Sequence, residues 1–128
     1  MQNSFIEHVN ITVSDPDQTA DLLIRLFDWK VRWRGPAKGD GLTVHVGTDR
    51  DYLAIYSTGE SKNSKDVSYL TKGGLNHVGI VVDDLDLIEE RVIAAGLKPH
   101  NHGDYEPGRR FYFHDDNGIE FEIVSYSN

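Results

Sequence analysis

An internal repeat is the feature that most limits how this 128-residue chain can fold. Shifting the chain by 69 residues, the distance from His8 to His77, gives six identities within ten positions, between the stretches HVNITVSDPD and HVGIVVDDLD. The identities keep the order of one strand and its exit turn. Two copies of one supersecondary unit explain this match better than chance does.

Each copy predicts a strand that leads into a helix. In the first copy Asp15 is a suitable N-cap and Pro16 suits the first helical position. In the second copy Asp84 is the N-cap and Gly96 a natural terminator. Three short strands are predicted after each helix: Lys30–Arg34, Leu42–Val46 and Tyr52–Ser57, then Leu97–His100, Arg110–His114 and Ile119–Ser125.

The repeat therefore predicts an α+β fold made of two βαβββ modules within one domain, residues 1–128. Module one covers residues from about 4 to 57, and module two from about 74 to 126. A polar linker, residues 58–73, connects them. Asn117 and Gly118 predict a tight hairpin between the last two strands, because both residue types tolerate a positive φ.

Composition excludes several classes of partner and site. The formal net charge is −8, which disfavours binding to nucleic acid or to an anionic membrane surface. The absence of cysteine excludes disulfides and zinc sites of the cysteine type. No signal peptide is visible at the N-terminus and no apolar stretch approaches the ~20 residues that span a bilayer. We expect a cytoplasmic protein.

Side chains on a strand alternate between the two faces of a sheet. The apolar set should pack against the helices and comprises Val9, Ile11, Val13, Val78, Ile80, Val82, Phe121 and Ile123. The opposite face collects histidines, tyrosines, carboxylates and an arginine: His8, His45, Tyr52, Tyr56, His77, Arg110, Tyr112, His114, Glu120 and Glu122. A solvated face would favour Lys, Thr and Glu, so this composition indicates a lined cavity.

Three residues on the polar face predict a metal site. His8 and His77 are equivalent by the repeat, and Glu122 lies on the last strand. Two imidazoles and one carboxylate form a facial triad that leaves coordination positions open and suits Fe²⁺, Mn²⁺, Zn²⁺ or Ni²⁺. The alternative is that the two histidines are a relic of duplication and bind no metal.

The motifs HVNITVSDPDQT, LNHVGIVVDDLD and RRFYFHDDNGIEFEIV resemble those of the vicinal oxygen chelate superfamily. This superfamily includes glyoxalase I, fosfomycin- and bleomycin-resistance proteins, methylmalonyl-CoA epimerase and extradiol dioxygenases. The resemblance implies a cup of βαβββ modules around a divalent metal that binds vicinal oxygens of a substrate. It places His8, His77 and Glu122 at metal-ligand positions and Glu120 at a variable one. It also implies a homodimer with sites built across two chains.

The chain departs from the glyoxalase I and epimerase pattern at a fourth ligand position. Those enzymes have Glu or Gln there, where this sequence has Ala54, with Tyr56 two residues on. The missing residue also serves as the base in glyoxalase-type proton transfer. Three ligands instead resemble the fosfomycin-resistance and extradiol dioxygenase subgroups.

Further polar residues are candidates for catalysis or substrate binding. Tyr56 and Tyr112 are catalytic candidates, because a phenol near a metal can donate to a bound oxyanion. Arg110 either recognises an anionic substrate group or pairs with Glu120. His45 and His114 are substrate-binding candidates, with cavity lining as the alternative. In the stretch PHNHGD, His100 and His102 lie two residues apart and could bind adventitious metal, but a solvated loop is the favoured interpretation.

These patterns favour a divalent-metal-dependent enzyme that acts on a small substrate, with dioxygenase-like or lyase- or transferase-like chemistry. The alternative is a metal-free small-molecule-binding protein of the bleomycin-resistance type. Expected partners are a small-molecule substrate and a second copy of the chain, with neither nucleic acid nor membrane.

Overall fold

The computed structural model describes residues 2–37, 39–63 and 66–126. The chain divides into two compact units, Met1–Lys62 and Asn63–Asn128. The first contains β1 (His8–Thr12), α1 (Pro16–Phe27), β2 (Lys30–Pro36), β3 (Leu42–Gly47) and β4 (Tyr52–Ser57). The second contains a short 3-10 helix (Ser68–Leu70), β5 (Val78–Val81), α2 (Leu85–Ala94), β6 (His100–Tyr105), β7 (Gly108–His114) and β8 (Glu120–Ser125).

Both units have the same sheet topology. The strand orders are β1-β4-β3-β2 and β5-β8-β7-β6, and in each sheet the first pair is parallel and the other pairs antiparallel. This identity of topology confirms the predicted α+β fold of two βαβββ modules. The part of the predicted linker at residues 64 and 65 lies outside the described residues.

The helix boundaries follow from the predicted caps. The Asp15 carboxylate accepts a hydrogen bond from the backbone N–H of Gln18 at 3.2 Å, and that of Asp84 from Leu87 at 3.1 Å. Asp28 ends α1 in the left-handed region at φ 59°, and Gly96 follows α2 with φ 84°. Neither helix is long and apolar enough, within the described residues, to cross a membrane.

Each sheet buries its apolar face under its own helix. The fully buried large side chains are Val13, Leu23, Leu26, Val44, Val46 and Ile55 in the first unit and Val92, Phe111, Phe113, Phe121 and Ile123 in the second. Val9 was predicted to pack against a helix but is 42% exposed. The reason is that α1 packs on β3 and β4, whereas Val9 lies on the edge strand β1.

The sequence prediction was wrong about the strand after α2. A strand was predicted at Leu97–His100, and PHNHGD was predicted to be a solvated loop, but β6 runs from His100 to Tyr105 and pairs with β7. The pairing is irregular between His100 and Gly103, and Asn101 has φ 54°. An edge strand with a bulge needs no alternating apolar residues, so its polar sequence resembles a loop.

The β7–β8 hairpin is organised by a buried carboxylate. Asp115 Oδ1 accepts hydrogen bonds from the backbone N–H groups of Asn117 at 3.0 Å and Ile119 at 2.9 Å. Gly118 has φ 83°, but Asn117 does not have a positive φ, and residues 115–119 separate the two strands, so the hairpin is found with a longer turn than the Asn-Gly pair predicted. Burial raises the pKa of Asp115 above its usual range, although the hydrogen bonds from Ile119 and Asn117 oppose this shift.

Replacing Asp115 with alanine is expected to lower the free energy of unfolding by about 1–3 kcal/mol, because two part-buried N–H groups lose their acceptor. Asparagine keeps an acceptor and removes the charge. A raised folded-state pKa stabilises the fold below the ordinary carboxyl pKa of about 4, and this contribution is lost as pH rises through the raised value. In urea unfolding across this pH range, the free energy of unfolding of Asp115→Asn should therefore rise relative to that of wild type as pH increases. If the difference between the two free energies of unfolding does not change with pH, the pKa of Asp115 is not raised in the folded state.

Candidate functional site

The polar face of the second sheet converges on Glu122. His77 precedes β5, and its Nε2 lies 3.2 Å from Glu122 Oε1. From β7, Arg110 Nη1 donates to Glu122 Oε2 at 2.9 Å and the Tyr112 hydroxyl donates to the same oxygen at 3.0 Å. The side chain of Glu122 is 14% exposed and that of Arg110 15%. The structure thus brings together four of the residues that were predicted to form the site.

The His77 ring is oriented by the residue before it. Its Nδ1 lies 2.7 Å from Asn76 Oδ1, an acceptor, so Nδ1 carries a hydrogen. Nε2 then faces Glu122 Oε1 at 3.2 Å. A proton on Nε2 makes this contact an ion pair, and in the absence of that proton a metal cation between the two acceptor atoms would satisfy both. Two ligands of one ion, each about 2.1 Å from it, lie roughly 3.0–3.4 Å apart, so this pair fits a divalent metal.

The remaining oxygen of Glu122 is held in place by Arg110 and Tyr112. Burial raises the pKa of Glu122, but the hydrogen bonds from Tyr112 and Arg110 and the neighbouring positive charges outweigh it, so the net shift is downward. Burial and the hydrogen bond to Glu122 raise the pKa of Tyr112. A carboxylate oriented by a phenol and a guanidinium is the outer-shell arrangement typical of metal ligands.

Arg110 pairs with Glu122 and not with Glu120, the partner that the sequence alternative named. Its guanidinium also lies 4.9 Å from the ring centroid of Tyr105. Its Nε and Nη2 are buried without a hydrogen-bond partner. Arg109, the preceding residue on β7, faces the helix side and contacts Asp86 at 3.1 Å.

The polar face of the first sheet presents a row of rings. The centroid distances are 5.0 Å from Trp33 to His45, 4.7 Å from His45 to Tyr52 and 4.9 Å from Tyr52 to His8. Arg32 lies 4.2 Å above the Tyr52 ring. Trp33 is 49% exposed. His45, a predicted substrate-binding residue, therefore belongs to an aromatic surface.

His8 is oriented in the same way as its repeat partner. Its Nδ1 lies 2.9 Å from Glu7 Oε1, which also accepts from the Tyr52 hydroxyl at 3.1 Å. The hydrogen bonds from His8 and Tyr52 lower the pKa of Glu7. In both units, then, the residue preceding the histidine binds Nδ1 and leaves Nε2 free for another contact. The sequence analysis missed Glu7 and Asn76, although a polar residue before each repeated histidine was visible.

Strand register identifies the counterpart of Glu122 in the first unit. Gly79 pairs with Glu122, and its repeat equivalent Asn10 pairs with Ala54. Ala54 is 2% exposed and has no ligand atom. The first unit therefore offers no carboxylate at this position, in agreement with the sequence alignment. Tyr56 lies opposite Thr12 and Thr43 on the polar face, and its catalytic role stays a prediction.

His114 does not contact Glu122 but belongs to a separate cluster with His100 and Glu120. Its Nδ1 lies 3.1 Å from His100 Nε2, and its Nε2 lies 3.3 Å from Glu120 Oε2. Tyr69, from the 3-10 helix, donates to Glu120 Oε1. This bond raises the pKa of Tyr69 to about 12. Among the described residues, this is the group of three whose ligand atoms lie within metal-binding distance.

Comparisons with known proteins agree with this fold. The family model described as Glyoxalase/Bleomycin resistance protein/Dioxygenase superfamily matches residues 5–123. A glyoxylase/bleomycin resistance protein/dioxygenase domain from Frankia sp. EAN1pec is similar, with 23% identity, 97% of this chain and 98% of that chain covered, and a TM-score of 0.81. No curated protein sequence matches the chain significantly.

Two fosfomycin resistance proteins share the fold. FosX from Mesorhizobium loti is 23% identical, covers 96% of this chain and 92% of its own, and has a TM-score of 0.73. FosX from Listeria monocytogenes, solved with Mn(II) and sulfate, is 18% identical, with 98% and 93% covered and a TM-score of 0.74. The family match covers nearly the whole chain and is consistent with the repeated βαβββ topology. The chain therefore belongs to the glyoxalase/bleomycin resistance protein/dioxygenase superfamily.

Proposed function

We propose that this protein is a metal-dependent enzyme that binds a small substrate through vicinal oxygens. His77 and Glu122 hold the divalent ion, and His8 is the third ligand, supplied by the same chain or by a second copy in a homodimer. The observation that carries the proposal is the approach of His77 Nε2 to Glu122 Oε1 at 3.2 Å, with the outer atoms of both groups fixed by hydrogen bonds.

The ligand set restricts the metal and its chemistry. Two imidazoles and one carboxylate suit Fe²⁺, Mn²⁺, Zn²⁺ or Ni²⁺. The Mn(II) in the Listeria relative supports a divalent ion at this fold. When bound, the ion supplies Lewis-acid polarisation of substrate oxygens and, if it is iron or manganese, a site for oxygen chemistry.

The surrounding residues define what the protein contributes. Tyr112 keeps its hydroxyl proton and fixes Glu122, and it is placed to donate to a developing oxyanion nearby. Arg110 balances the charge of Glu122, and its Nε and Nη2 are buried, unpaired donors of the kind that an anionic substrate group satisfies. Since Ala54 provides no fourth ligand and no base, dioxygenase-like or lyase- or transferase-like reactions fit better than glyoxalase I chemistry.

The first test is metal binding by untagged protein, purified without chelator and then titrated with Mn²⁺, Zn²⁺, Ni²⁺ and, without oxygen, Fe²⁺. We expect His77→Ala and His8→Ala each to weaken binding at this site by at least about tenfold, because each removes a direct ligand. The control is His102→Ala, which removes a histidine that contacts Glu89 and Phe111. Unchanged affinity in His77→Ala would overturn the proposal.

The second test is activity of the metal-loaded protein on substrates with vicinal oxygens. Catechols with O₂ test for ring opening, which is measured by oxygen uptake. Fosfomycin with water or a thiol tests for epoxide opening, which is measured by phosphorus NMR. Turnover that depends on metal and is lost in His77→Ala supports the enzyme.

One observation favours the alternative of a metal-free binding protein. The row of rings from Trp33 to His8 offers stacking surface for a planar aromatic ligand. If the His77→Ala substitution leaves the affinity for every metal unchanged, binding of aromatic ligands in the presence of a chelator would support this second function.

A further inference from the structure

We propose a second divalent transition-metal site, contained within the second unit and formed by His100, His114 and Glu120. It is distinct from the His77–Glu122 pair and goes beyond the proposed function. Its ligand atoms, one from each residue, all lie within 4.8 Å of one another.

Strand register and a bulge build this cluster. His114 on β7 lies directly opposite Glu120 on β8. His100 on β6 lies opposite Tyr112, one step diagonally from His114, and the two histidine rings stack with centroids 5.0 Å apart. Because the pairing is irregular after His100, His102 turns to the other side, where it contacts Glu89 at 2.8 Å. The bulge thus places His100, and not His102, beside His114 on the polar face.

The donor atoms suit a divalent ion from the end of the first transition-metal row, such as zinc. His100 Nε2 and His114 Nδ1 are 3.1 Å apart, the spacing expected of two ligands that each lie about 2.0–2.1 Å from one ion. Glu120 is 5% exposed, a low exposure for a carboxylate. Tyr69 holds its Oε1, so Oε2 faces His114, where it lies 3.3 Å from Nε2, the other nitrogen of that ring. A single ion takes one nitrogen of His114, and one ligand atom from each of the three residues lies within 4.8 Å of the others. Two imidazoles and one carboxylate without sulfur match Zn²⁺, with room for water in the coordination shell.

The two metal positions are separate, because Glu120 and Glu122 are two residues apart on one strand, about 6.6 Å. Metal ions that act together on one bond lie only about 3.5–4 Å apart. Tyr112 nevertheless contacts both groups, with its ring centroid 5.7 Å from that of His77 and 6.4 Å from that of His100. An ion held by His100 and His114 would fix the edge strand β6 against β7 beside Tyr112.

Zinc binding to untagged, metal-free protein tests this site by equilibrium dialysis and elemental analysis. We expect two zinc ions per chain in wild type and one fewer in both His100→Asn and His114→Gln. His102→Asn is the matched control, since it lies on the same strand with its side chain on the other face, and should keep wild-type stoichiometry. Glu120→Gln should weaken the same zinc by at least about tenfold.

Zinc stoichiometry that is unchanged in both His100→Asn and His114→Gln would overturn the second site. The result separates this site from the proposed function. If His77→Ala retains every zinc while His114→Gln loses one, the second site stands and the proposed metal centre fails. If His77→Ala alone loses zinc, the reverse holds. Circular dichroism of each variant confirms that it is folded.

Discussion

Replacing Glu122 with glutamine is expected to weaken divalent-metal binding at the His77 site by at least about 100-fold, since removing even an outer-shell partner costs about 10–100-fold. The amide of glutamine still offers an oxygen to Arg110 and Tyr112, so the fold should persist. What is lost is the negative charge and the second acceptor oxygen that faces His77. Calorimetric titration of Mn²⁺ and Zn²⁺ into metal-free protein measures the effect.

Glu120→Gln is the matched control for this experiment. It makes the same change two residues earlier on the same strand, at a carboxylate that contacts Tyr69 and His114 instead of His77. It should leave the His77 site at wild-type affinity. If Glu122→Gln keeps wild-type affinity for every ion, then Glu122 serves only as the partner of Arg110, and the metal-free alternative gains support.

Much of the fold could be predicted because its local signals agree with its tertiary structure. The strand Tyr52–Ser57 and the caps Asp15 and Asp84 were predicted where they are found. The repeat then limited the topology, since two equal modules need equivalent strand orders. The fold of such a chain can be predicted from its sequence because its helix caps, alternating apolar residues and repeated turns all indicate the same structure.

The alternation of side chains along the strands predicted that Arg110, Tyr112 and Glu122 share one face of the sheet. It did not predict which carboxylate Arg110 contacts. Glu120 and Glu122 share a face, so alternation alone allows Arg110 either partner. The register decides: Tyr112 lies opposite Glu122 and His114 opposite Glu120, which leaves Arg110 beside Glu122. The strand register depends on the hairpin geometry at Asp115. The hydrogen bonds of Asp115 cannot be predicted from the pattern of residues in the sequence.

The cluster of His100, His114 and Glu120 was beyond the sequence for two physical reasons. A bulge changed which histidine of β6 reaches the polar face, and a bulge in a polar edge strand leaves no periodic signal. Tyr69 reaches Glu120 from a 3-10 helix in the polar linker, a segment with no helical or strand periodicity. Contacts made by such segments are set by tertiary packing.

Replacing Phe111 with alanine is expected to lower the free energy of unfolding by about 3–5 kcal/mol, the usual cost of removing a buried aromatic ring. Phe111 is fully buried on the apolar face of β7, opposite Ile123. Its neighbours Arg110 and Tyr112 point to the other face and bind Glu122, so β7 couples the core to the candidate metal centre. Urea unfolding measures the loss.

Phe5→Ala is the control, because Phe5 is 66% exposed and its loss should change stability by less than about 0.5 kcal/mol. In the Phe111→Ala variant the loss should appear in the transition of the second unit, if the two units unfold separately. A loss below about 1 kcal/mol would mean that the core of the second unit closes around the missing ring. The β7 strand would then be too adaptable to hold Arg110 and Tyr112 in fixed contact with Glu122.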